Sequence, residues 1–526
     1  MFRQVNKMTS ISFTKKFESQ NAKAMIDFFH NCDSLTSVDF SNFNSNSLTS
    51  LNYAFDFCQS LTYVNFSNFN TTNVETMNNM FKYCPKLTSI DLSSFNTQNL
   101  KEAQYMFRNC FSITYINISS FNTEKLENAE GMFYGCKSLT SLNISQFNIK
   151  NLKYMKSMFE DCFSLTSLDL SHFDTSNLYD ITYAFRGCSS ITSFNLSNFK
   201  FKELYDMSGL FMNCTNLKSF DISNFDTSKV SNMKYLFSDC HSLTSINISF
   251  FKTSRVTNMN YMFYGCQSLV SLDLYNFDTN NVIDMDHLFC NCYSLTSLNI
   301  SSFNTSKTTS LNAMFSECYS LTSINITHFD TSNVRSMGRL FSNCKKLKSI
   351  DITNFNTVNV IHMFNMFANC SSLTSINIKN FNTENAYELG QMFYGCIQLT
   401  SIDVSHFDTK KVNNAYYMFA NCYKLTSINL SNFNTPDLED IEGMFNNCTS
   451  LTSIDLSSFD TSNIFYNDYI FSGCSNLKYI DISSFTPELN YTLLFGNIPS
   501  SGRIKVNKDI YQIVKNIIPS NWIIEY

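Results

Sequence analysis

Cysteine returns every 26 residues in this chain, from Cys32, Cys58 and Cys84 through to Cys474, without one insertion or deletion. A fixed period of this length means that each repeat is one small unit. Such a unit cannot bury its own apolar face and must stack on its neighbours. The regularity also sets aside the reading that 526 residues would otherwise invite, a string of roughly three or four independent globular domains.

Other positions keep the same period. A phenylalanine precedes each of these cysteines by three residues, from Phe29 to Phe471, and another follows by eleven, from Phe43 to Phe485. An Asp or Asn stands seven residues after each. Within "LTSLNIS" (139–145), Leu142 and Ile144 alternate with Ser141, Asn143 and Ser145, which is strand periodicity. Within "NTTNVETMNNMFKYC" (70–84), Val74, Met77, Met80, Phe81 and Cys84 are spaced three or four apart. That spacing predicts a short helical or 3₁₀ return, with Asn70 or Thr71 placed to cap it.

The expected architecture is therefore an α/β repeat solenoid. One parallel β-sheet of about eighteen rungs would run for on the order of 85 Å, with right-handed helical or 3₁₀ crossovers. Residues 1–31 form an N-terminal cap with a degenerate repeat, 32–486 the eighteen repeats, and 487–526 a C-terminal cap. In the first cap, "SISF" (10–13) reads as a strand, with Ile11 and Phe13 one residue out of phase with Phe17. In the last, "RIKV" (503–506) reads as a strand and "KDIYQIVKNII" (508–518) as a helix that Pro519 stops, with Trp522 beyond it.

Only 15% of residues are charged, the net charge is −6, and no Lys/Arg stripe is visible, so nucleic acid is not an expected partner. No apolar run reaches membrane-spanning length. No nucleophile elbow, zinc-protease helix or phosphate loop occurs, so no catalytic residue, metal site or cofactor is expected, and the chain reads as non-enzymatic. The repeating cysteines read as buried thiols, because stacked residues send their Cβ atoms in parallel, which suits a disulfide poorly. No second ligand recurs in the repeat to complete a metal tetrahedron. Cys290 alone stands off the ladder, at a place usually filled by polar or small residues, and reads first as a chance substitution and second as an exposed, reactive thiol. The methionines, such as Met77 and Met155, read as core filler.

The outward strand column is the candidate binding face: Asp91, Asn117, Asn143, Asp169, Asn195, Asp221, Asn247, Asp273 and Asn299 belong to it. Asp and Asn nearly alternate along the column, and only Asp455 and Asp481 are adjacent carboxylates. Stacked carboxylates repel, so amide–carboxylate hydrogen bonds between rungs are expected. The flanking columns are mostly serine, with Tyr63, Tyr115, Tyr275 and Tyr479 as exceptions. Asn117 and Asn143 each open an N-x-S sequon; glycans there would crowd on adjacent strands.

"LTSLNIS" with its trailing Phe is similar to the L-x-x-L-x-L core of leucine-rich repeats. The whole unit, as in "FDTSNVRSMGRLFSNCKKLKSIDI" (329–352), resembles the 26-residue surface-protein repeat of the BspA-like leucine-rich-repeat group. The resemblance covers residues 32–486 and implies a binding or adhesion role at a cell surface, with protein or carbohydrate partners and no catalytic residues. Where ordinary leucine-rich repeats place Asn, this chain has Phe43, Phe69 and their equivalents, so a neighbouring Asx or Thr must satisfy the turn backbone. The opening "MFRQVNKMTSISFTKKFESQ" lacks the apolar stretch of a secretory signal, which leaves a cytoplasmic protein as the alternative to a surface one. Three functions stay open: a surface binding solenoid, an intracellular interaction scaffold with the same face, and a binder of a regular solid such as ice or mineral.

Overall fold

The computed structural model describes residues 2–5, 7–14 and 22–526. The chain falls into two compact units, Met1–Val256 with Gly265–Leu269, and Thr257–Tyr264 with Val270–Tyr526. Each is a run of parallel β-solenoid turns with the period of the sequence.

In the first unit the strands are β1 (Ser10–Ser12), β2 (Ser37–Asp39), β3 (Tyr63–Asn65), β4 (Ser89–Asp91) and β5 (Tyr115–Asn117). In the second they are β6 (Ser271–Asp273), β7 (Ser297–Asn299), β8 (Ser453–Asp455), β9 (Tyr479–Asp481), β10 (Arg503–Lys505) and β11 (Ile523–Glu525), with one helix, α1 (Tyr511–Ile517), between the last two strands. Equivalent residues face each other across each pair, as in Asp39 opposite Asn65 and Asp273 opposite Asn299. The phase relation of "SISF" to Phe17 lies outside the described residues.

Two expectations are corrected. Among the described residues the single continuous sheet is instead four short ones, β1-β2-β3, β4-β5, β6-β7 and β8-β9-β10-β11. The predicted helical or 3₁₀ returns are runs of hydrogen-bonded turns. The N–H groups of Met80 and Lys82 donate to the carbonyls of Met77 and Asn79, three residues back, as those of Cys58 and Cys110 do to Phe55 and Phe107 in the neighbouring turns. Asn79 and Tyr83, third in their turns, have positive φ (57° and 58°), as type II turns require. The alternate donors, Met77, Asn79, Phe81 and Tyr83, bond instead to the carbonyls of Glu102, Gln104, Met106 and Arg108 in the next turn. Consecutive β-turns place a side chain inward every three or four residues, as a helix does. The apolar spacing therefore could not tell the two apart.

This side of each unit carries the more regular ladder. Parallel bridges recur at every step from Ala24–Ser50 to Asp206–Asn232 in the first unit and from Asn258–Asp284 to Asp440–Tyr466 in the second. The turn spacing is thus held from the return side, and the outer strand, only three residues long, need not complete its ladder.

The core follows the columns. Phe55, Phe81 and Phe107 stack with centroids 5.1 and 5.6 Å apart and rings within 5° of parallel. Phe263 and Phe289 repeat this in the second unit at 5.8 Å and 9°. The second phenylalanine column, Met77, Met155 and the ladder cysteines are buried. In the C-terminal segment, Val514 of α1 is buried and the indole N–H of Trp522 donates to the Pro499 carbonyl at 2.8 Å.

Candidate functional site

The outward column is built by an Asx turn repeated at each step. The side-chain oxygen Oδ1 accepts the backbone N–H two residues on: Ser93 to Asp91 at 2.9 Å, Ser145 to Asn143 at 3.1 Å, Ser171 to Asp169 at 3.0 Å and Ser223 to Asp221 at 2.8 Å. Asn117, Asn195, Asn247, Asp273 and Asn299 do the same for Ser119, Ser197, Ser249, Tyr275 and Ser301. The Asx residue therefore ends the strand and starts the turn, which is why only Asp or Asn occupies the column.

The first unit holds Asp91 to Asn247 in one file, and the second holds Asp273 and Asn299. All nine are exposed except Asn117, which is half-buried. The expected amide–carboxylate bond joins Asn65 to Asp39, Asn117 to Asp91 and Asn299 to Asp273, each at 2.9 Å. In each case the Asn amide donates back to the Asp of the turn before it, so the bond requires Asp first and Asn second. All three coincide with ladder-paired strands. The Ser93 hydroxyl and N–H hold the Asp91 carboxyl below its usual range, and Ser171 does so for Asp169.

Tyr63 and Tyr115 rise from this face in the first unit, 58% and 55% exposed. They occupy one column, two turns apart, with Ser89 between them. Where β3 and β4 belong to different sheets, a shallow cleft of about 360 Å³ opens, lined by Tyr63, Asn65, Ser67, Ser89, Asp91 and Ser93 among others. Among the described residues no three His, Cys, Asp or Glu side chains converge as metal ligands. Among them, too, no helix is long and apolar enough to cross a membrane.

Two sets of residues hold the turns together without having been singled out as columns. Thr71 is buried; its hydroxyl donates to the Asn96 carbonyl at 3.0 Å and accepts the Asn96 N–H at 2.8 Å. Thr97 and Thr123 repeat the pair in the first unit, and Thr279 and Thr357 in the second. Asn70, expected with Thr71 to cap a helix, instead accepts the Thr72 N–H at 2.9 Å. Asn73, Asn99, Asn333 and Asn359 donate side-chain amides to carbonyls 27 residues back, at 2.7–2.9 Å. The signal was present: "F-N/D-T" closes the same stretch in most repeats.

The thiols face inward. Cys84 donates to the Phe55 carbonyl at 3.2 Å and Cys110 to that of Phe81 at 3.0 Å; Cys292 and Cys318 do likewise to Phe263 and Phe289. Burial pushes Cys110 and Cys214 up to about 12. Cys290 corrects the expectation of an exposed, reactive thiol. It is buried and also pushed up to about 12 by burial, because its column, shared with Ser316 and Ser342, is tucked between returns.

These features define a parallel β-solenoid of the leucine-rich-repeat kind. The chain belongs to the family described as "Mycoplasma protein of unknown function, DUF285", whose model matches residues 1–116, 104–194, 179–297, 269–375, 337–452 and 362–485. No curated protein matches. Among solved structures it is similar to a leucine-rich repeat protein from Bacteroides ovatus, with 19% identity, 90% of this chain and 86% of that one covered, and a TM-score of 0.27. It is also similar to a leucine rich cell surface protein from Faecalibacterium prausnitzii, with 18% identity, 65% and 82% covered, and a TM-score of 0.32. A leucine-rich repeat protein from Eubacterium ventriosum gives 17% identity, 75% and 90% covered, and a TM-score of 0.31.

Proposed function

We propose that this chain is a non-enzymatic binding solenoid that presents its Ser/Asx strand face to a protein or carbohydrate partner at a cell surface. One observation carries the reading. Along the column from Asp91 to Asn247, the bonds that build the turn draw on one oxygen, as at Asp169, where the Ser171 N–H and hydroxyl both fall on Oδ1. Apart from the half-buried Asn117, whose amide bonds to Asp91, the column is nevertheless exposed, so its remaining polar atoms stand toward solvent in a fixed file. Rigid, repeated polar groups held by a solenoid lose little entropy on binding. The surface placement follows the resemblance to BspA-like repeats.

The test is a triple variant, Asp91→Lys with Asp169→Lys and Asp221→Lys, assayed for binding to matrix proteins and to a glycan panel. Loss of wild-type binding is the expected result. Binding that survives all three changes moves the site to the return side or the ends. Protease shaving of intact cells tests the placement: release of fragments supports the surface, and full protection supports the intracellular scaffold.

A further inference from the structure

Resting on that reading of the strand face, we propose that the stretch from Tyr63 to Tyr115 is a subsite for an uncharged, extended, β-linked glycan lying along the stacking direction of the turns. Tyr63 and Tyr115 are large aromatic side chains more than half exposed, on a face otherwise built from Ser, Asn and Asp. Each pairs across its ladder with a serine, Ser37 and Ser89, so no second ring covers either one from that neighbour. Two turn spacings separate them, about 9–10 Å. That is the span of one disaccharide in an extended chain whose alternate sugars present the same face. An exposed ring offers its face to the C–H face of a pyranose.

The polar half of the match lies between the rings. Ser89, Asp91, Ser93 and Asn65 line the cleft, and hydroxyl, carboxylate and amide groups pair with vicinal sugar hydroxyls. The boundary between β3 and β4 is also a boundary between sheets, which makes the depression at this step. Charge selects the class of glycan. Asp39 and Asp91 are held ionised by the donors of Ser41 and Ser93, and no Lys or Arg lines the cleft. A uronate or sulfated chain would be repelled. A protein partner would meet little apolar surface here to desolvate, which is what most interface cores need.

Titration of the full chain with cellohexaose and chitohexaose, followed by calorimetry, tests the proposal. At least one should bind, the matching disaccharide should bind far more weakly, and polygalacturonate should not bind. Tyr63→Ala and Tyr115→Ala should each weaken the hexasaccharide at least tenfold. Tyr205→Ala, on the return side, should leave it unchanged. Both face variants remove exposed rings, so circular dichroism should remain that of the wild type.

No binding of either hexasaccharide overturns the inference, as does binding that both tyrosine substitutions leave intact. If such binding is lost in the Asp-to-Lys triple variant, the inference fails and the strand-face reading stands. If it survives that variant too, both fail.

Discussion

The side-chain oxygen of Asn109 lies within clashing distance of the point where a Cβ on Gly135 would sit, one turn further along. Gly135 also has φ of +71°, a left-handed conformation that side chains disfavour. The same relation links Asp239 to Gly265 and Asn369 to Gly395. Each glycine of "MFYGC" at 132–136, 262–266 and 392–396 follows an Asx in the same column of the previous turn, although Asx also follows Asx there, as Asn369 follows Asn343.

Gly135→Ala should therefore destabilise the chain by about 1–2 kcal/mol, from the positive φ and the displaced Asn109 together. Adding Asn109→Ala should recover part of the loss, the part due to crowding. A denaturation double-mutant cycle measures the split. An unaffected midpoint in the single variant would show that the glycine is replaceable and the crowding without consequence.

Inside and outside should differ sharply in the second unit. Phe263 is fully buried in the phenylalanine column, and Phe263→Ala should cost about 3–5 kcal/mol. Asn299→Asp loses the amide bond to Asp273 and sets two carboxylates face to face, but in solvent, where the cost should be about 1 kcal/mol. Urea midpoints that ranked the two the other way would contradict the assignment of these columns.

Much of this was legible in the letters. The period, the inward Leu, Ile and Phe positions and the Asx column all follow from strand alternation plus a strict repeat. The return was misread for a physical reason: consecutive type II turns through Met77–Cys84 give the same inward spacing as a helix. The telling sign was instead the column of Asn79, Tyr105 and Gly131, which all take positive φ. Asn and Gly are at home there; tyrosine is not, and it masks the pattern. The broken sheet was not foreseen. Asp–Asn order permits the cross-turn bond at Asp169–Asn195 as well, yet the bonds at Asn65, Asn117 and Asn299 fall at the steps where Tyr63, Tyr115 and Tyr275 replace a flanking serine.

The adjacent carboxylates Asp455 and Asp481 find their compensation in β10. Lys505 stands opposite Asp481 across the β9–β10 pair and reaches its carboxylate at 3.1 Å. Burial pushes the Asp481 carboxyl up, but the Ser483 hydroxyl and N–H and the Lys505 ammonium outweigh it and hold it below its usual range. A depressed carboxyl contributes stability above its unfolded value of about 3.9 and loses it as pH falls through the folded one. Lys505→Gln should lower the urea midpoint at pH 7, by less than loss of a fully buried pair because Lys505 is half exposed. Asp455→Asn in the same background should restore some of it. Equal midpoints for the wild type and Lys505→Gln at pH 7 would remove this ion pair from the account.

The thiol column makes stability fall with alkali. The Cys110, Cys214 and Cys396 thiols are pushed up to about 12 by burial, and Cys84 and Cys136 rise for the same reason. In the unfolded chain a thiol ionises near about 8.5. Between those values the folded state keeps protons that the unfolded state has released. Unfolding is then favoured as pH rises, by up to about 1.4 kcal/mol per pH unit for each such thiol. The contribution is fully present below the unfolded value and is lost progressively above it. With one thiol per turn the effect adds along each unit, so the urea midpoint should be level from pH 6 to 7, begin to fall by pH 8 and fall steeply toward pH 10.5. Native protein at pH 8 should also resist a thiol-specific reagent that labels all nineteen cysteines after denaturation. A midpoint that stayed level to pH 10.5, or rapid native labelling, would show that the thiols do not sit in the dry interior where Cys84 and Cys110 meet the carbonyls of Phe55 and Phe81.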